Sequence, residues 1–397
     1  MKKFLFWATV VGASLTGCVN GNESALNAED NPQAITFEVA SYRASSRADE
    51  GATTNDYKPF DTGLTFGTFA WEANGHGATH VPFMENTQIA YVGGVWLGID
   101  KPYFWPSDKE SHIDFVSYYP YSSTGDDSWV PQITENVVGK GDYNKLIYNN
   151  YKVDGQDLMF SDKAHLQTSN HVTYYTSGVP TLFRHALAKL NFMVAAKYLE
   201  SKDGDQTTYW QVKVHSIKIG GIRDEGSVTM TTTSPATGAS ALTTQWSIVK
   251  TASEQPNVWN VSGSVAEPKQ WSREGGHPLL AVDESQPNSN YEIFGAGTGR
   301  AVDYMIMPQK IEPNQQYINI VYTIASRAEI GGEWKNEEEF NKTFTFDELN
   351  KKGASILNWE MGKNITYKIL IDPKGDLINF DPAEVDWVLV NGGTLDM

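Results

Sequence analysis

Cys18 is the only cysteine in the chain, and the residues before it fit one reaction, transfer of lipid onto its thiol. Leu15-Thr16-Gly17-Cys18 closes a segment in which Lys2 and Lys3 precede the apolar run from Phe4 to Val11. That run is too short to span a bilayer, which takes about 20 residues. Met1 to Gly17 therefore reads as a cleaved export signal ending in a lipobox, with Cys18 as the new first residue. One acyl chain holds a protein only reversibly, whereas the several chains of a bacterial lipoprotein anchor it stably. The alternative is a plain secretory signal followed by an incidental cysteine. On either reading no intrachain disulfide forms, so stability rests on packing and strand pairing.

Two arginines offer a second chemistry, cleavage of the backbone. Val19 to Gln33 is polar and poor in large apolar residues, as a tether should be. Ile35, Phe37 and Val39 then alternate with Thr36, Glu38 and Ala40, a short strand with one apolar face. Directly after it, Ser41 to Gly51 sets Arg43 and Arg47 among small residues, the kind of exposed segment that proteases cut. A strand between a tether and a cleavable linker is releasable after the rest of the chain has folded around it.

Catalytic and metal-binding patterns are not found. His76 and His80 are four apart but lie among Gly75, Gly77 and Ala78, with no helical pattern and no adjacent glutamate, so a zinc site is not expected. Gly295-Ala296-Gly297-Thr298-Gly299 lacks the strand-to-helix setting of a phosphate loop and reads as a turn. Asp203 and Asp205 miss the spacing of a calcium loop. No cofactor and no enzyme activity are expected. The net charge of −17 becomes −19 once Lys2 and Lys3 leave with the signal. A body that acidic repels nucleic acid and anionic lipid.

The elements that must position these segments are almost all strands. At 397 residues, with 40% apolar and 12% aromatic content, the chain can hold two cores. Leu64, Phe66 and Phe69-Ala70-Trp71 alternate imperfectly around Gly67. Gln88 to Val92, Gly93-Gly94 and Val95 to Leu97 read as two short strands or one kinked strand. In His112 to Tyr121, Ile113, Phe115, Ser117 and Tyr119 share one face. Residues 122 to 157 read as loop, with Trp129, Tyr143, Tyr148 and Tyr151 covering a sheet edge or meeting a partner. Residues 186 to 197 fit helix by propensity and strand by the alternation of Leu190, Phe192 and Val194. The polar break Ser201 to Gln206 is the expected boundary between domains 48–205 and 206–397. Later strands are Tyr304 to Met307, Tyr317 to Ile324, Thr343 to Phe346 and Ile365 to Ile371, with Leu377 to Phe380 returning as a hairpin partner. Val385, Trp387 and Leu389 close the chain on one face of a last strand. Strands with turn signals at this density indicate sandwich domains.

The lipobox with its strand and arginines, the run HIDFVSYYPY, the pair DLMFSDKA and LFRHALAKLNFMV, and the closing NITYKILIDPKGDLINFDPAEVDW together resemble the fimbrillin-like pilins of Bacteroidales. The resemblance implies an all-β chain: signal 1–17, lipidated propeptide 18–47, and two transthyretin-like β-sandwich domains. It tilts residues 190 to 196 towards strand. It implies export as a lipoprotein to the outer-membrane surface and cutting by a trypsin-like protease after Arg47, before Ala48, with Arg43 the second choice. Its partners would be other pilin subunits in a fimbrium, and ligands on host or bacterial surfaces.

The mechanism has its own physics. A sandwich missing one strand exposes apolar positions and unpaired backbone groups, a template for strand addition. The removable strand would be Ile35 to Ala40. The donor would be Val385 to Val390, unless that segment is simply the last strand of its own domain. Burying three side chains of that size is worth about 5 to 8 kcal/mol before ordering costs. Head-to-tail donation does not close on itself and builds a filament. The competing reading is a surface lipoprotein that binds glycans through exposed aromatics, with Trp96, Trp105 and Trp129 the candidates.

Overall fold

The computed structural model describes residues 34–42, 57–73, 80–123, 131–133, 145–161, 163–167, 178–231, 260–262, 264–283, 285–286, 290–294, 304–312, 314–351, 358–374 and 378–386. Nearly all regular structure in them is strand, as the alternating patterns require. The chain begins with β1 (Phe37–Tyr42), β2 (Tyr57–Pro59), β3 (Thr65–Ala73), β4 (His80–Val92), β5 (Val95–Gly98) and β6 (His112–Tyr119). Then come β7 (Gln132–Ile133), β8 (Lys145–Lys152), β9 (Met159–Ser161), β10 (Ala164–Gln167) and β11 (Val179–His185). The next group is β12 (Ala188–Ala196), β13 (Glu200–Asp203), β14 (Gln206–Gly220), β15 (Glu225–Thr231), β16 (Asn260–Ser262), β17 (Lys269–Pro278) and β18 (Glu292–Ile293). The last is β19 (Tyr304–Ile306), β20 (Gln309–Lys310), β21 (Tyr317–Arg327), β22 (Lys335–Thr345), α1 (Phe346–Lys351), β23 (Asn358–Trp359), β24 (Lys363–Ile371) and β25 (Ile378–Asp386).

The first lobe is a sheet in the order β10-β6-β3-β4-β5-β1-β11-β9 that closes because β9 also pairs β6, through Tyr118↔Phe160. Gly93 and Gly94, at φ 63° and 96°, make the two-residue turn between β4 and β5, so the double glycine divides two strands. The imperfect alternation around Gly67 is a register shift of β3 against β4 between Thr68 and Ala70. β6 departs from the one-faced strand expected. Ile113 and Phe115 line the inside of the ring, while Val116 and Tyr118 on the other face are equally buried in a second cluster.

That second cluster explains residues 122 to 157. Part of the expected loop is strand: β8 pairs β7 and β15, and Tyr148 and Tyr151 are buried against Val116, Tyr118 and Phe160 of the ring. The aromatics cover a sheet rather than face solvent. Trp129 and Tyr143 lie outside the described residues.

The second lobe is a sandwich. One sheet runs β18-β12-β24-β25 and the other β13-β14-β21-β22. Leu190, Phe192, Ile365 and Tyr367 of the first meet Val214, Ile217, Ile320 and Tyr322 of the second in one core. All of β12 is buried, and it pairs β24 in parallel from Lys189↔Asn364 to Ala196↔Ile371. A strand buried on both faces reads as a continuous apolar run, which is why its periodicity leaves helix open. Thr345 caps α1 reciprocally with Glu348, whose Oε2 accepts from Thr345 N at 2.8 Å.

Sheet membership changes between β11 and β12, earlier than the polar break at 201–206. That break is the β13–β14 hairpin, with Asp203↔Gln206 paired and Gly204 at φ 58°. A tight hairpin and a linker need the same polar, glycine-containing residues, so composition cannot separate them. β15 and β16, from beyond the break, join β8 and β7 in one sheet that packs on the ring.

Candidate functional site

The site assembles around β1, which joins the two ends of the first lobe's ring and carries β2 on its end. β1 stands between β5 and β11. It runs parallel to β11 from Phe37↔Val179 to Ser41↔Phe183, and antiparallel to β5 at Phe37↔Trp96 and to β2 from Ala40↔Pro59 to Tyr42↔Tyr57. Beyond the ladder, Ile35 N donates to Tyr103 O at 2.6 Å and Val179 N to Thr36 O at 2.7 Å. Strand 37–42 meets 179–183 across most of the first lobe, and one cut behind β1 would leave it held by noncovalent contacts alone.

Ile35, Phe37 and Val39 all point into the ring, at 2%, 4% and 8% exposure. The Phe37 ring meets Phe66 and Phe115 edge-on, each at 5.9 Å between centroids. Phe66 in turn contacts Phe60, Trp96 and Phe183. β1 is thus the side of an aromatic core, and its departure would open that core and unpair the facing edges of β5 and β11. The opposite face is less apolar: Glu38 is half-buried, and burial pushes its carboxyl above its ordinary pKa of 4.5.

Gly178, which the sequence does not single out, sets how closely β1 can approach. Its φ is +78°, and a Cβ there would lie 2.7 Å from Phe37 C and 2.8 Å from Glu38 N. A glycine just ahead of Val179 reads as an ordinary loop residue unless the strand lying against it is known. Phe66 and Phe115, which line the groove with Phe60 and Phe183, are legible as strand residues but not as neighbours of β1.

Cys18, Arg43, Arg47, Ala48, Trp387 and Leu389 lie outside the described residues. Val385 is on β25, opposite Asn364 of β24. The described part of that closing segment therefore belongs to the edge of its own sheet. β25 runs continuously through Asp381-Pro382, which an edge strand tolerates.

Of the aromatics offered for sugar stacking, Trp96 and Trp105 are not available for it. Trp96 is 6% exposed and packs in the ring core with Phe60 and Phe66, and Trp105 is 9% exposed beside Phe115. Trp129 is outside the described residues. Trp96→Ala is expected to destabilise the lobe by about 3–5 kcal/mol, as for a buried aromatic, seen as a lowered urea midpoint. Among the described residues no group of three or more His, Cys, Asp or Glu is placed to hold a metal, and no helix is long and apolar enough to cross a membrane. His76 and residues 295–299 are not among them.

Residues 46–387 match the sequence profile of a family described as fimbrillin-like. No curated protein matches the chain in sequence. Among solved structures, the chain is similar to a fimbrial protein of Bacteroides vulgatus ATCC 8482, at 14% identity and TM-score 0.47, covering 90% of this chain and 100% of that one. It is also similar to a "putative cell adhesion protein" of Bacteroides ovatus ATCC 8483, at 12% identity and TM-score 0.45, covering 91% and 100%.

Proposed function

Because this chain belongs to the fimbrillin-like family, we propose that it is a structural subunit of a surface fimbrium that supports adhesion. In this reading it is exported as a lipoprotein held to the outer membrane through Cys18. Its two lobes serve as transthyretin-like sandwiches. A trypsin-like protease cuts after Arg47, or after Arg43, and frees residues 18–47. β1 leaves with them, and a strand from another subunit, drawn from its C-terminal segment, takes its place.

The observation that carries the reading is the burial of Ile35, Phe37 and Val39 in the ring core, on a strand joined to the body at one end only and followed by two arginines. A plain binding protein has no use for a core strand built into a cleavable leader. Without β1, the ring presents two facing strand edges and an aromatic trough, which together favour capture of an extended segment.

N-terminal sequencing of protein recovered from cells, alongside electron microscopy, tests this. Filaments whose subunits begin at Ala48 or Ala44 are the expected result. Recovery of the lipidated Cys18 form alone, monomeric after trypsin treatment, would overturn it.

A further inference from the structure

Val81, Ile99 and Phe104 are exposed at 56%, 45% and 42%, and the strand directions bring all three to one end of the first lobe. β1 is antiparallel to β5 at Phe37↔Trp96, and β5 to β4 from Ile89↔Gly98 to Val92↔Val95. Ala34, the loop after Gly98 and the start of β4 therefore share that end. Tyr91, Val92 and Val95, also exposed, sit at the opposite end on the β4–β5 turn.

The loop between β5 and β6 is pinned in its exposed form. Ile99 N donates to Gln88 O at 3.1 Å, and Ile35 N to Tyr103 O at 2.6 Å. The Tyr103 ring lies 5.6 Å from that of Phe83 and its hydroxyl 3.0 Å from Thr87 Oγ1, while Trp105 is buried beside Phe115. Phe104 between them bridges Ala34 through the backbone and keeps its side chain outside. In a strongly acidic chain the charges here balance, Lys101 and Lys109 against Asp100 and Asp108, and Lys101 Nζ stands 4.9 Å over the Tyr103 ring. Apolar and aromatic side chains beside lysine suit the boundary between headgroups and acyl chains.

Ala34 is also where the tether from Cys18 arrives, after about sixteen residues. A coil of that length spans about 20–24 Å, and fully drawn out about 55 Å. Resting on the lipoprotein reading above, we infer that Ile99, Phe104 and Val81 form a docking surface for the bilayer in which Cys18 is anchored. The tether keeps the loop at high local concentration, so a weak contact suffices. β1 then runs away from the lipid, from Ala34 to Tyr42, and the linker that carries Arg43 and Arg47 begins about 26 Å further out. Docking thus orients the precursor with its cleavable segment outward. A cut there detaches the tether, and the loop is left with its own weak affinity.

The test uses the lipidated precursor recovered from cells, in phosphatidylcholine vesicles with spin-labelled acyl chains. An acylated Cys18 leaves no free thiol, so Pro102→Cys or Val92→Cys takes a fluorescent label at one end of the lobe or the other. The label at 102 should be quenched by the lipid and the label at 92 should not. Ile99→Ser combined with Phe104→Ser should lower the docked fraction about tenfold. Flotation with the vesicles and the urea midpoint should stay as they were, because the anchor remains and both side chains are exposed. Quenching at neither position, at both equally or at 92 alone, or full quenching in the double variant, overturns the docking surface while flotation leaves the lipid anchor standing. A precursor that carries no acyl group and does not float sinks the lipoprotein reading and the docking with it.

Discussion

Gly178→Ala is expected to loosen β1 before any protease acts. The residue sits at φ +78°, where a side chain costs about 1 to 3 kcal/mol in backbone strain alone. The new Cβ would also press on Phe37 C and Glu38 N at 2.7 and 2.8 Å, which are backbone atoms and cannot rotate away. β1 must back off, and the ladder from Phe37↔Val179 to Ser41↔Phe183 is what it loses. Amide hydrogen exchange of residues 37–41 should quicken towards that of an unpaired segment, and cutting behind the strand should release the leader without a competing peptide. Gly204→Ala is the control: that glycine is also at positive φ, but nothing lies within 4 Å of its would-be Cβ. It should cost about 1 to 2 kcal/mol and leave β1 protected. Unchanged protection of residues 37–41 in Gly178→Ala would mean that β1 is held by its side chains alone. Phe37→Ala separates the two contributions, since it removes about 3–5 kcal/mol of aromatic packing with the backbone untouched.

What the sequence discloses about this site follows from which faces are buried. Ile35, Phe37 and Val39 are legible because the other face of β1 carries Thr36 and Glu38, both half-buried, so the alternation survives. The all-β character and the strands β21 and β24 are legible for the same reason, β21 alternating buried and half-buried positions from Tyr317 to Val321, whereas β22 starts at Lys335 rather than Thr343 and Phe346 opens the helix. β12 leaves helix open because it is packed on both faces and loses the polar half of its pattern, and β6, legible as a strand, conceals its second buried face for the same reason. β8 hides for another reason. Its ladder partner β15 arrives from beyond residue 206, and its Tyr148 and Tyr151 pack on the ring's Val116 and Tyr118, contacts no local window contains.

The shared sheet has a consequence for how a filament would carry load. β15 and β16 pair with β8 and β7, and their sheet buries Leu146, Tyr148 and Tyr151 against the ring. The two lobes are therefore joined by strand pairing and core packing as well as by the chain between β11 and β12. In the fimbrial reading proposed above, tension at the β1 groove would reach the second lobe through that sheet as well as through the chain between β11 and β12.

At the edge of the ring a different prediction has an effect as large. β10 is tied to β6 by Asp114, which is 3% exposed; Lys163 Nζ donates to its Oδ2 at 3.2 Å, and His165 Nδ1 lies against its Oδ1. Asp114→Ala leaves the Lys163 ammonium buried without its carboxylate, which should cost about 3–5 kcal/mol in urea denaturation at neutral pH. The pH dependence carries the sign. Burial would raise the Asp114 carboxyl, but the hydrogen bond from His165 and the charge of Lys163 outweigh it and hold the group below its ordinary 3.8. Its contribution is complete above that value and is lost as pH falls through the depressed one. His112, stacked on His165 at 5.0 Å, is lowered from 6.5 by burial and by the charge of His165, with Asp114 and Glu110 opposing. Folding therefore begins to lose stability as pH drops below about 6.5, where unfolded chains protonate first. Two acid-side losses are expected in the native protein, one per group. In Asp114→Ala the lower one should vanish and the upper one steepen, because the carboxylate that eases protonation of His112 is gone. Parallel stability profiles for the two proteins from pH 7 to pH 2 would show that Asp114 does not hold this edge.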